Sequence, residues 1–415
     1  MPDLRKNMLV MGFALFSMFF GAGNVIFPPY LGLSCGGAWF TGFAWYYLAD
    51  IGLALLTLFA MLRAGSTEAV LHPLGSLSSK ILMSAIVLCI GPLLAIPRTA
   101  ATTYELALSP LVSGVSPVLF SVLFFALTAL ICLRQSAVVD IVGKILTPAL
   151  LIGLLILIAV GMAYPIGPIP ETAAVESVAR TGIEAGYQTM DVLAAAVFGV
   201  LILKSAEGKG YTDPHSRRTV ISGAALIAGL ALLGVYLGLT YLGATTAPFF
   251  DLSVHRADLM AFIVRSLLGG SGVWLFALIV TLACLTTATA LVSAAAHHFS
   301  SLLHCSYRWM AATICALSAL TANFGLETIV SLASPILSLV YPPTLTAVIS
   351  CFLPPRLSAG YSVRFAALAA FLAATVQTAG FLAFLPFTGL GFGWLLPAIL
   401  GGTTGLLTTK NRVGG

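Results

Sequence analysis

Three ionisable side chains sit inside otherwise apolar stretches of this chain: Asp50 in "YLADIGLALL", Arg98 in "AIPRTAATTYE" and Asp191 in "GYQTMDVLAAAVFG". Removing a charge from water is costly, so such a residue by default holds a counter-charge, an ion or a polar group of a substrate. Asp191 closes a run of poor apolar-helix residues that includes Gly186, Gln188 and Thr189. The first apolar run is interrupted in the same way by "GAGN" at 21–24, with Pro28 and Pro29 close behind. A helix broken inside a membrane exposes amide N–H groups where one half begins and carbonyl oxygens where the other ends. The first end attracts an anion such as a carboxylate, and the second a cation. The candidate binding residues are therefore Gly21, Ala22, Gly23 and Asn24 in one break and Gln188, Thr189, Met190 and Asp191 in the other. Asp191 could meet a cationic group or an ion, or cap the second half-helix through the amides of Leu193 or Ala194. For Arg98 the reading is pairing with an acidic neighbour, with gating of the outer vestibule as the alternative. Asp50 could carry a proton or pair with another helix.

The elements that position these residues follow from composition. Of 415 residues, 59% are hydrophobic and 8% charged, and the mean hydropathy is +1.05. Soluble chains carry about 25% charged residues, so this one cannot clothe a water-facing surface. Twelve apolar blocks of roughly membrane-spanning length predict a polytopic all-α protein. They lie near 8–33, 40–62, 81–103, 117–133, 145–163, 187–203, 219–243, 273–296, 309–325, 329–353, 365–384 and 389–408. With the N-terminus inside, 15 of the 19 Lys and Arg residues fall in inner segments and three in outer loops. That asymmetry puts both termini in the cytoplasm. Basic loops then report topology, and no nucleic-acid partner is expected. The seven cysteines are scattered without a CxxC pair, and read as packing residues; Cys35 is placed outside and Cys305 inside.

The spans divide into five, five and two, giving units 1–163, 164–353 and 354–415 within one membrane domain. An odd number of spans makes the second five start from the opposite face, so the two blocks would be inverted repeats. The two breaks fall in the first span of each block, which is where such repeats build a binding site. Gly234 and Gly238 form one GxxxG, read as a packing seam.

At these residues the chain resembles a known family. "FFGAGNVIFPPYLG" (19–32), "GPLLAIPRTAATTYE" (91–105), "GYQTMDVLAAAVFG" (186–199) and "LACLTTA" (282–288) are similar to the bacterial branched-chain amino acid:cation symporters, the BrnQ-type carriers. The resemblance implies sodium-coupled uptake of leucine, isoleucine and valine across the inner membrane. It also implies a LeuT-like fold: 12 transmembrane helices, a 5+5 inverted repeat with helices 1 and 6 broken, and two C-terminal helices. It further implies a sodium between Ser17 and Phe20 carbonyls on span 1 and Ala283, Thr286 and Thr287 on span 8. Ala283, Thr286 and Thr287 stand at i, i+3 and i+4, on one helix face. Against this stands the habit of membrane threonines of bonding their own i−4 carbonyl. By the same resemblance Asn24 lies near the substrate carboxylate or a second sodium. The cation at Asp191 would then be a substrate ammonium or a coupling ion, and Thr189, Met190 and Phe198 are candidates to line the apolar side of the pocket. No cofactor and no metal besides sodium is expected, and the protein is expected to act as a monomer.

Two other classes compete. An intramembrane enzyme would need a catalytic motif, and HExxH and the Walker A pattern are absent from the sequence. Asp50 and Asp191 could act as a carboxylate pair only if their helices met. A channel would need a carbonyl filter or a ring of charge, and neither pattern is present. A proton-coupled carrier of another neutral amino acid remains the alternative within the transporter class.

Overall fold

In hydrocarbon every backbone polar group must be satisfied internally, and this chain does so with helices. The computed structural model describes residues 3–112, 114–134, 138–358, 361–382 and 384–413, among which there is no strand. The α-helices are α1 (Leu4–Phe19), α2 (Ala22–Cys35), α3 (Trp39–Tyr47), α4 (Leu53–Ala64), α5 (Thr67–Leu71), α6 (Ser76–Leu88), α7 (Ala95–Thr103), α8 (Pro117–Arg134) and α9 (Val138–Ala163). There follow α10 (Val178–Thr189), α11 (Asp191–Gly208), α12 (Pro214–Ala244), α13 (Arg256–Leu303), α14 (Tyr307–Ala322), α15 (Leu326–Ser350), α16 (Ser362–Thr378) and α17 (Leu395–Val413).

Among the described residues, six helical stretches are long and apolar enough to cross a membrane: Ala22–Ala64, Ser76–Leu108, Val178–Gly208, Pro214–Ala244, Arg256–Leu303 and Leu326–Ser350. Shorter apolar helices accompany them at Pro117–Leu133, Leu150–Ala163, Ser362–Thr378 and Leu395–Thr409. This is a multi-pass membrane protein. Its lipid face is visible on α8, where Leu119, Leu123, Leu127 and Leu130 form a stripe of exposed leucines that only a hydrocarbon solvent would tolerate. The N-terminus of α12 lies in the polar segment, where the Ser216 N–H donates to the Asp213 carboxylate at 2.9 Å. That bond holds the Asp213 carboxyl below its usual range.

Two spans are bent where their side chains matter. A π-helical turn at Leu48–Gly52 joins α3 to α4 and carries Asp50. Another at Cys89–Leu93 contains Pro92 and a non-helical Gly91, and it turns α7 inward so that Arg98 points at the centre. Such turns widen the helix locally and expose groups a regular helix would hide.

Some sequence expectations are corrected. The first interruption lies at Phe20 and Gly21 rather than through Asn24, and Pro28 and Pro29 behind it are held within α2. The outer segment 244–272 is not all loop, because α13 starts at Arg256 and runs 48 residues. Gly269, at φ 65° and ψ −167°, separates its first part from the span, a backbone state that glycine alone adopts without strain. The 234/238 seam is half present: a Cβ on Gly238 would lie 2.5 Å from Ile158, whereas one on Gly234 would meet nothing within 4 Å. The closest helix approach is instead between α2 and α12. A Cβ on Gly32 would fall 1.8 Å from the Thr240 carbonyl, and one on Gly243 equally close to that of Pro29.

Candidate functional site

The first break is two residues long. Helix α1 ends at Phe19, Phe20 (φ −75°, ψ 92°) and Gly21 (φ −117°, ψ −167°) are extended, and α2 starts at Ala22. In an unbroken helix the Gly21 N–H would close on the Ser17 carbonyl; here it reaches the Asn24 Oδ1 at 3.4 Å. The Ser17 carbonyl is thereby left without its helical donor, as the last carbonyls of any helix are. Ala22 and Gly23, the first two residues of α2, present amides that have no intrahelical acceptor.

The second break is one residue long, and not where composition put it. Gly186, Gln188 and Thr189 are helical, and only Met190 departs, with a left-handed φ of 66° and ψ of 16°. Asp191 then opens α11. It does not cap that helix, because the Ala194 N–H already bonds the Met190 carbonyl at 2.9 Å. Its Oδ2 instead accepts from the Asn24 Nδ2 at 2.8 Å, and the same nitrogen donates to the Tyr236 hydroxyl of α12. One asparagine thus ties its own break, the second break and α12 together.

Gly186 lets α10 lie against the π turn, since a Cβ there would be 3.0 Å from the Asp50 nitrogen. That contact brings the Thr189 hydroxyl to 2.7 Å from the Asp50 Oδ1. The carboxyl groups of Asp50 and Asp191 become neighbours, so the two helices do meet. Arg98 does not take an acid as its partner. Its Nη1 donates to the Gln188 carbonyl at 2.6 Å and its Nη2 to the Thr189 carbonyl at 3.2 Å, and its guanidinium lies 5.5 Å from the Phe27 ring centre. A guanidinium on the carbonyl end of a half-helix is favoured by the helix dipole.

Between the breaks lies a cavity of about 30 Å³, room for roughly one water molecule. Gly21, Ala22, Gly23, Asn24, Thr189, Met190 and Asp191 all face it, as do Arg98, Thr287 and the apolar Met18, Phe19 and Phe198. Gln188 does not: its Nε2 donates to the Val330 carbonyl at 3.3 Å, which turns the side chain toward α15. Of the residues placed around a cation, Phe20 is buried, with its ring stacked on those of Phe16 and Tyr236. Ala283 is also buried, and its carbonyl accepts from the Thr286 hydroxyl at 2.8 Å. Thr287 differs from its neighbour. Its Oγ1 is buried without a hydrogen-bond partner among the described residues, and it faces Gly21, whose Cβ would stand 3.8 Å away. An unpartnered hydroxyl opposite freed carbonyls is a donor set that could hold a small hard cation.

The sequence profile described as "Branched-chain amino acid transport protein" matches residues 4–412. This chain belongs to that family. The branched-chain transport protein is 34% identical to the "Branched-chain amino acid permease BraB" of Bacillus subtilis, with 97% of this chain and 96% of that one covered. It is 37% identical to the "Branched-chain amino acid transport system 2 carrier protein" of Pseudomonas aeruginosa, over 81% and 78%. Its relatives are named as transporters and permeases, and the protein is not an enzyme. Among solved structures it shares the LeuT-like fold of Mhp1, a nucleobase-cation-symport-1 family transporter in a closed conformation (TM-score 0.67, 13% identity, 97% and 93% covered). A Na+-coupled sialic acid symporter is also similar (TM-score 0.62, 16% identity, 96% and 90%).

Two features of this family member's site carried little sequence signal. Tyr236 is one polar aromatic in a long apolar span, and nothing in its neighbourhood marks it as Asn24's partner. Met190 is a good helix former, so its left-handed backbone is imposed by packing alone.

Proposed function

We propose that the protein is a sodium-coupled symporter that imports leucine, isoleucine and valine across the bacterial inner membrane by alternating access. It would act as a monomer of twelve crossings, with inverted repeats in 1–163 and 164–353, two further helices in 354–415 and both termini cytoplasmic. The observation that carries this reading is the Asn24–Asp191 bond, which joins the two breaks across one cavity. In the proposed site the α2 amides receive the substrate carboxylate and the Asp191 carboxylate its ammonium. Met18, Phe19 and Phe198 supply apolar surface for a branched side chain. Sodium is carried at Ser17, Phe20, Ala283, Thr286 and Thr287; the freed Ser17 carbonyl and the unpartnered Thr287 hydroxyl support that assignment. A cavity of this size must widen to admit an amino acid, and movement of the half-helices about Gly21 and Met190 would open it.

One observation favours a second reading. Two buried carboxyls, Asp50 and Asp191, lie on helices that meet at the Asp50–Thr189 bond and have no ion pair among the described residues, the setting in which membrane carriers place proton relays. A proton could therefore be the coupled cation. Leucine uptake into proteoliposomes separates the readings. A sodium gradient at equal pH should drive accumulation, and an imposed pH gradient without sodium should not. Accumulation that follows pH alone would replace sodium by the proton, and no leucine uptake under either gradient would remove the substrate assignment.

A further inference from the structure

We propose that Arg98 is the charged receptor for the substrate carboxylate, acting beside the Ala22 and Gly23 amides; the inference rests on the branched-chain transport reading above. Arg98 is 3% exposed and forms part of the cavity wall. A buried guanidinium is ordinarily matched by an acid, because uncompensated charge in a low dielectric is costly. The side-chain ion pairs among the described residues are Arg180–Glu184, Arg217–Glu207 and Arg256–Glu327, and none involves Arg98. Its bonds go to two carbonyl dipoles, which leave its full charge in place. Its Nε donates to nothing among the described residues. Asp191 is an electrostatic neighbour, but its carboxylate oxygen accepts from Asn24.

The guanidinium is also in the right place. A Cβ on Gly23 would stand 2.8 Å from the Arg98 Nη2, so the edge of the fork lies against the first turn of α2. The free amides of that turn and the guanidinium converge on one region from two elements. Backbone amides at a helix start and a planar fork of donors are both suited to a carboxylate. With Asp191 also in the cavity wall, the site offers a positive and a negative group to a zwitterion. The Phe27 ring centre lies 5.5 Å from the guanidinium carbon, so the cation also rests against an aromatic face.

Arg98 could alternatively do no more than tie the end of α10, and the two roles separate by ligand class. The probes are leucine and leucinol, which share the side chain and ammonium but differ in the carboxylate, titrated on the purified full-length protein with sodium saturating. Arg98→Gln should weaken leucine about 100-fold and change leucinol less than about 3-fold, so that the preference for the carboxylate collapses. Arg98→Lys keeps a point charge without the fork, and should retain part of that preference while lowering it about 10-fold. Parallel loss of leucine and leucinol in Arg98→Gln would overturn the proposal in favour of a structural tie. An unchanged leucine-to-leucinol ratio in Arg98→Lys would overturn it equally, and needs only a folded lysine variant. If the parent protein binds no leucine, the transport reading fails, and that outcome is distinct from either result on the ratio.

Discussion

Thr286 and Thr287 are neighbours in sequence, yet their hydroxyls keep different company. The Thr286 Oγ1 lies 3.1 Å from the Leu282 carbonyl and 2.8 Å from that of Ala283, so its proton is spent on its own helix. The Thr287 Oγ1 has no such bond and is buried opposite the break in span 1. Replacing either by valine keeps the shape and removes one oxygen. Thr287→Val should raise the sodium concentration for half-maximal leucine uptake about 10-fold or more, since losing one ligand in a dry site costs about 1–3 kcal/mol. Thr286→Val should shift it less, because a back-bonded hydroxyl offers only its lone pairs. Sodium titrations of the two variants in proteoliposomes check the order, and an equal or reversed order would take Thr287 out of the site. Met190 gives a second test at this scale. A left-handed non-glycine residue costs about 1–2 kcal/mol, so Met190→Gly should relieve the backbone while deleting a side chain from the cavity wall. Met190 is 1% exposed, and losing its packing costs about 2–5 kcal/mol, so the expected outcome is a lower Tm with weaker leucine binding. An unchanged or higher Tm would mean that the strain outweighs the methionine's packing.

At the scale of elements, the first break was legible and the second only partly. Gly21, Gly23 and Asn24 are poor in helix interiors, and their sequence predicts an interruption within a residue of where the chain departs. In span 6 the same reasoning marked Gly186, Gln188 and Thr189, but the helix runs through all three. Their composition signals something else: Gly186 permits close contact with the π turn, and Thr189 meets Asp50. Polar residues in a membrane helix thus marked side chains that gather at one cavity, Thr189 and Asp191 among them, but not the point where the backbone breaks. Helix packing was misread in a related way. The GxxxG pattern pointed to Gly234, which faces open space, whereas the contact that no pattern flagged is Gly243 against Pro29. Gly243→Ala would push a methyl into backbone that cannot rotate aside, and should lower the Tm in detergent by several degrees, as overpacking by about 1–3 kcal/mol implies. Gly234→Ala should leave it unchanged. Similar melting of the two variants would contradict the close approach of α2 and α12.

Across the whole molecule, apolar run length carried the all-helical membrane class, because hydrocarbon leaves a chain few other options. It could not show the helix that begins at Arg256, whose mixed polarity reads as loop until its buried face is seen: Leu259, Met260 and Ile263 are covered by protein. Orientation rests on charge. With the N-terminus inside, 15 basic residues fall on the inner side against three outside, an imbalance that governs insertion when it lies in short loops near the spans. Cys35, the cysteine that this topology places outside, cannot report on it. It is fully buried at the end of α2, with the place of a Cβ on Gly42 only 2.5 Å from its sulfur. An exposed residue of the outer segment before α10, Glu176, serves instead, with the exposed Cys305 as its inner counterpart. In cells with a permeabilised outer membrane, an impermeant thiol reagent should modify Glu176→Cys in a variant lacking the other accessible thiols. The parent's Cys305 should react only after the inner membrane is opened as well. Because the two positions lie on opposite sides of the proposed topology, the reverse order of labelling would invert the whole molecule and place both termini outside.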